Sequence, residues 1–247
     1  CCARRIMRLN PDNDSLSSVG GYLGLRGFKY SGTVVGNDDC LYGIPVDATH
    51  IVKFDPSNPD TTSTVGEEAE EWFECGNGVL GGDGYIYAAN RYGQVLKVDT
   101  ANSDYTWIGD SIHLGIGTGW GDPIVGADKC IYWPPSSANR VLKFDPETQQ
   151  LPSLVGDDLG EGCYKWTGGA LATDGVIYCV PHRATQVLTI DPLEEMKITL
   201  KSNFRQHPQE LGRLFVKDEE CNETFYNGAV RKFGIEKVFQ LIDECLP

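Results

Sequence analysis

The chain has 247 residues and a formal net charge of -14, from 21 Lys+Arg against 35 Asp+Glu. An acidic surface repels phosphate, which argues against nucleic acid and anionic membranes as partners. No apolar run approaches the roughly 20 residues that membrane insertion requires, and the 29 glycines fit short strands joined by tight turns.

In chain order, Ala3 to Pro11 (ARRIMRLNP) aligns with the much later Ala184 to Pro192 (ATQVLTIDP). Residues 1 to 18 therefore read as the second half of a repeat whose first half is absent. The chain opens on Cys1-Cys2 without a methionine, and a missing natural N-terminus is the expected reason. Four complete repeats follow, beginning GTVVGNDDCLYGIPVDATHIVKFDP, NGVLGGDGYIYAANRYGQVLKVDT, DPIVGADKCIYWPPSSANRVLKFDP and GGALATDGVIYCVPHRATQVLTIDP. Their central tyrosines, Tyr42, Tyr87, Tyr132 and Tyr178, are spaced 45, 45 and 46 apart. The closing aspartates Asp55, Asp99, Asp145 and Asp191 keep the same beat.

Each repeat has the grammar of four antiparallel strands. In the last copy, Ala170-Leu171 reaches Thr173-Asp174-Gly175, a hairpin signal. Val176 to Val180 is β-branched and aromatic and stops at Pro181. Val187 to Ile190 alternates and ends in an Asp-Pro turn. A more polar fourth segment follows in the earlier copies (Thr62 to Gly66, Tyr105 to Gly109, Pro152 to Gly156), with its counterpart at Met196 to Leu200. Four strands in about 45 residues make one propeller blade. The fold class is all-β: a β-propeller of four complete blades and one half blade, either five-bladed or part of a larger ring. Helix-pair repeats lack their apolar period here, and a β-helix repeats in fewer residues.

Between blades run glycine-rich crossings carrying Tyr30, Cys75, Trp120 and Trp166 at one fixed place. These residues read either as anchors wedged between blades or as stacking platforms for a sugar or planar ligand. From about Ser202 the pattern changes. His207-Pro208 opens a helix, and Ile235, Val238, Phe239, Ile242 and Leu246 follow an amphipathic stripe. The expected division is a propeller over 1–200 and a small α-helical segment over 201–247.

Nine cysteines with no CxxC spacing read as reduced packing thiols, and the expected location is intracellular, in the cytoplasm. No HxxxH, GxSxG, P-loop or strand-to-helix GxGxxG is present. Gly115 to Gly119 lies in a crossing and is not repeated. The Asn10-Pro11 and Asp55-Pro56 turns lack the later ligands of a calcium loop. No catalytic residue, metal ligand or cofactor is assigned.

On the DG-x-[IL]-Y and V-x-[KR]-x-DP wording, the repeats resemble the gluconolactonase and strictosidine-synthase-like propellers. That resemblance implies one metal held by a glutamate, asparagines and an aspartate. Here no isolated carboxylate is read as breaking the repeat in a strand, which lowers that reading. KWTGGALATDGVIYCVP…VLTIDP resembles uncharacterised propeller-repeat proteins of unicellular algae, which implies a helical, sometimes ankyrin-like, C-terminal part. A looser similarity to five-bladed tachylectin-type propellers implies sugar binding.

The expected function is a non-catalytic binding or scaffolding propeller that presents a loop face to a protein, small ligand or glycan. The alternatives are a metal-dependent hydrolase or lyase of gluconolactonase-like type and a lectin-like binder. Association through the half blade or the C-terminal helix is a further expectation. One rim, bearing Asp39, Asp83, Asp128 and Asp174 and the closing aspartates, is monotonous and suits turn chemistry. The other rim carries the second-to-third-strand loops and the crossings, where the copies differ. Its candidate binding residues are His50, Arg91, Tyr92, Arg140, His182 and Arg183 from the loops, and Trp120 and Trp166 from the crossings. Arg and Trp are frequent binding hot spots.

Overall fold

The computed structural model describes residues 3–25, 27–111, 119–193 and 197–201. The expected helical segment over 201–247 lies outside them apart from Lys201, which ends the last strand. Among the described residues every element is a strand. A half blade pairs β1 (Ile6–Asn10) with β2 (Ser15–Val19). The first full blade is β3 (Tyr30–Val35), β4 (Leu41–Pro45), β5 (Ile51–Phe54) and β6 (Ser63–Val65), and the second is β7 (Cys75–Leu80), β8 (Ile86–Asn90), β9 (Val95–Asp99) and β10 (Asp104–Ile108). The third is β11 (Ile124–Val125), β12 (Ile131–Trp133), β13 (Val141–Phe144) and β14 (Ser153–Val155). The fourth is β15 (Trp166–Leu171), β16 (Ile177–Pro181), β17 (Val187–Asp191) and β18 (Lys197–Lys201). Each full blade is an antiparallel meander in sequence order. The first strands of neighbouring blades lie side by side, β3 with β7 and β11 with β15, and so line the propeller axis.

Three apolar clusters fill the seams between blades. Ile44 and Ile51 of the first blade meet Ala88, Leu96 and Val98 of the second. Val95 then meets Leu142 and Phe144, and Val141 meets Leu188 and Ile190. Each third strand thus sends alternate residues forward and backward, as a period of two dictates. Met7 and Leu9 hold the backward-facing places in the half blade and are exposed, at 68% and 57%.

The hairpin between first and second strands is built identically four times. Asp38, Asp83, Asp128 and Asp174 each accept a backbone N–H two residues on with Oδ1. With Oδ2 each accepts the hydroxyl of the buried tyrosine four residues on, at 2.8, 2.6, 2.7 and 2.9 Å. Lys53 and Lys143 add ion pairs to the first and third aspartates, at 2.6 and 3.1 Å. The structure corrects the register of the first copy. The turn aspartate there is Asp38, whereas Asp39 takes the left-handed place (φ 58°) that Gly84, Lys129 and Gly175 hold elsewhere. The closing aspartates cap their own turns the same way, with Asp55, Asp99, Asp145 and Asp191 accepting from Ser57, Ala101, Glu147 and Leu193.

Candidate functional site

The opposite rim is held by its backbone. In each full blade a residue at the start of the second-to-third-strand loop donates its N–H to the crossing beneath it. The four bonds are Val46 to Lys29 O, Arg91 to Glu74 O, Ser136 to Gly119 O and His182 to Lys165 O. Two of those loops are also joined to the next blade, because Glu74 N–H donates to Val46 O and Lys165 N–H to Ser136 O, both at 2.9 Å. At the seam between the second and third blades, Gly119 lies so close that a Cβ there would stand 2.7 Å from Arg91 O. The buried Lys165 ammonium clamps the last seam by donating to Ala138 O and Gly160 O, and burial lowers its pKa. The rim is therefore a stitched surface whose side chains vary on a fixed backbone.

A pocket of about 260 Å³ opens on this rim at the channel mouth. It is lined by Ser31, Val46, Asp47, Glu74, Cys75, Gly76, Ala89, Asn90, Arg91, Gly119 and Trp120. Arg91 reaches Glu74 Oε1 at 3.3 Å and lies 5.1 Å from the centre of the Tyr92 ring. A hydrogen bond to the Glu74 carboxylate raises the Tyr92 pKa. Glu74 thus serves two neighbours at once. β-Bulges between Tyr30 and Gly32, Cys75 and Gly78, and Trp166 and Gly168 shape the mouth by re-aiming each first strand.

Below Ser31 and Gly76 comes a layer formed by Gly32, Asn77, Asp122 and Gly168, one residue per blade. Asn77 Nδ2 donates to Asp122 Oδ1 at 2.6 Å, although the two are 45 residues apart. The amide oxygen of Asn77 presses against Gly32, and Asp122 leans on Gly168, so the glycines make room for the polar pair. Burial raises the Asp122 pKa to about 6, against the lowering effect of the Asn77 bond. Asp122, which lies just before β11 and not in a strand, is an isolated carboxylate that breaks the repeat, a place the reading of the strands does not cover. The available signal was the column Gly32, Asn77, Asp122, Gly168, spaced 45, 45 and 46.

The structure brings Arg91, Tyr92 and Trp120 to one seam. His182 and Arg183 gather on another, flanking the Tyr164 ring at 6.0 and 5.2 Å. His50 packs edge-on against Tyr30, 6.4 Å between ring centres, and Arg140 is exposed away from the pocket's lining. Trp120 and Trp166 are 6% and 2% exposed. Their indole N–H groups are committed to Arg140 O and Gln186 O, at 3.0 and 2.9 Å, so each ring wedges a crossing against its loop. Cys40, Cys75, Cys130 and Cys179 are free and buried, and burial raises their thiol pKa values. Cys163 is free and exposed.

No protein-family model and no curated sequence matches the chain. Solved structures do. A virginiamycin B lyase from Staphylococcus aureus aligns with TM-score 0.64 at 12% identity over 81% of this chain and 63% of its own. The periplasmic gluconolactonase PpgL of Pseudomonas aeruginosa aligns with TM-score 0.54 at 15% identity over 80% and 62%. A Lactobacillus plantarum protein aligns with TM-score 0.58 at 17% identity over 80% and 63%. This chain spans less than two thirds of each. At such identities the likeness establishes the propeller fold and nothing finer.

Proposed function

We propose that the chain is a non-catalytic binding propeller whose ligand, a small polar molecule, enters the channel-mouth pocket between the second-to-third-strand loops and the crossings. One observation carries the reading: the rim whose loops differ between the copies has its backbone bonded loop to crossing in each described blade, and it holds this pocket. Preorganised polar groups bind without a large ordering cost. At about 260 Å³ the pocket suits a ligand no larger than a monosaccharide or amino acid. The test is a chemical-shift screen of monosaccharides, amino acids and small amines. Binders should move the amides of Ser31, Gly76 and Gly119 and the Trp120 indole N–H, and Arg91→Ala should weaken them. Binders that move only the turn rim, around Ser57 and Ala101, would overturn the proposal.

A second reading, a hydrolase or lyase working in the channel, is favoured by the Asn77–Asp122 pair. A carboxyl with pKa near 6 is suited to proton transfer close to neutrality. The metal-dependent form fits less well. Asn77 and Asp122 offer two oxygen ligands where a hard cation takes six or more, and no group of three His, Cys, Asp or Glu residues is placed for a metal among the described residues. Loss of a measured hydrolytic activity in Asp122→Asn with unchanged ligand binding would favour this second reading.

A further inference from the structure

The charges around the pocket do not cancel. Arg91 is matched by Glu74, and Glu74 also receives Tyr92. Asp47, on the facing loop, lines the same pocket and is half-buried. Its backbone N–H donates to Phe28 O, which fixes the loop. Its carboxylate pairs with no cation among the described residues. The other copies place Tyr92, Ser137 and Arg183 at this position, so a carboxylate there is peculiar to the first blade. A carboxylate without a cationic partner beside a pocket offers a counter-charge to a bound cation. Of the remaining polar lining, Ser31 offers a hydroxyl, whereas the Asn90 amide is already bonded to Tyr92 N–H, Gln94 N–H and Gln94 Oε1 within its own loop.

We infer that the pocket selects a small primary ammonium compound, with Asp47 taking the ammonium group and the Ser31 hydroxyl the polar remainder. The inference rests on the proposed ligand site and goes further by naming the ligand's charge and headgroup. Arg91, held by Glu74 and lining the same pocket, has guanidinium N–H groups left to donate to the polar remainder of the ligand.

The experiment compares three probes of nearly equal size: ethanolamine, ethylene glycol and glycolate. Each is titrated into the ¹⁵N-labelled full chain, following the Gly76 and Gly119 amides and the Trp120 indole N–H. Ethanolamine should shift these signals saturably and bind at least about tenfold more tightly than ethylene glycol, and glycolate should not compete. Asp47→Asn should remove that preference while the melting temperature holds. Glu147→Gln, which deletes a carboxylate on the turn rim, should leave it intact. If ethylene glycol binds as well as ethanolamine, or binding is indifferent to Asp47→Asn, the ammonium assignment is overturned while the pocket stands. If none of the three moves the pocket signals, the assignment falls together with the pocket.

Discussion

The two rims of this propeller repeat in different ways. On the turn rim the side chains are the constant: an aspartate tied to a turn N–H and to a buried tyrosine hydroxyl, four times over. On the loop rim the constant is the backbone, with the same loop-to-crossing bond in each blade beneath Val46, Arg91, Ser136 and His182. Where side chains do the holding, they cannot vary. Where main-chain groups do it, side chains are released for recognition. Hence the monotonous rim serves stability, and the variable one presents a pocket without becoming a loose set of loops.

The strongest break in this comparison is Trp166→Ala. It removes a buried ring and the bond to Gln186 O that fastens crossing to loop, so a loss of about 3–5 kcal/mol is expected in urea unfolding. A loss under about 1 kcal/mol would mean that the backbone bonds alone hold the rim.

Next comes the channel layer between the rims. The Asp122 carboxyl has its pKa raised from 3.8 to about 6 by burial, so the folded state holds the proton more tightly than the unfolded chain. Its contribution to stability is complete below about pH 4 and is lost as pH rises through 6. Asp122→Asn should therefore match the parent near pH 4 and exceed it at pH 7.5, by up to about 3 kcal/mol. A parallel pair of stability-versus-pH curves would contradict this.

A smaller effect tests the turn rim. Tyr132→Phe leaves the ring in place but withdraws the hydroxyl from Asp128, and about 1–2 kcal/mol should be lost. Lys143 remains paired with Asp128, so the turn should stay formed in backbone hydrogen exchange.

The least effect on stability belongs to Arg91→Ala. Its ion pair with Glu74 is partly exposed, and a change within about 0.5 kcal/mol is expected in thermal melts, alongside the weakened ligand binding proposed above. A large destabilisation would place Arg91 in the scaffold instead of the recognition surface.

Much of the architecture was legible in the residues. The beat of Tyr42, Tyr87, Tyr132 and Tyr178, the Asp-Gly and Asp-Pro turns, and the match of Ala3–Pro11 to Ala184–Pro192 delivered the four blades and the half blade. They did so because strand alternation and turn chemistry are written over a few neighbouring residues. The outer strand expected at Met196 to Leu200 is β18, Lys197–Lys201. What the tertiary structure decided are relations between strands and between blades. Trp166 faces inward because a bulge and a loop carbonyl orient it, and Trp120 because a loop carbonyl holds its indole. Arg91 finds Glu74 because β7 pairs with β8 so that Cys75 stands opposite Asn90, and Asn77 finds Asp122 at 2.6 Å because first strands pack around one axis. Asp47 acquires its significance only beside a neighbour's neutralised charges. Such meetings join residues tens of positions apart, and the packing of blade on blade selects them, whereas local pattern fixes only which residues stand at equivalent places.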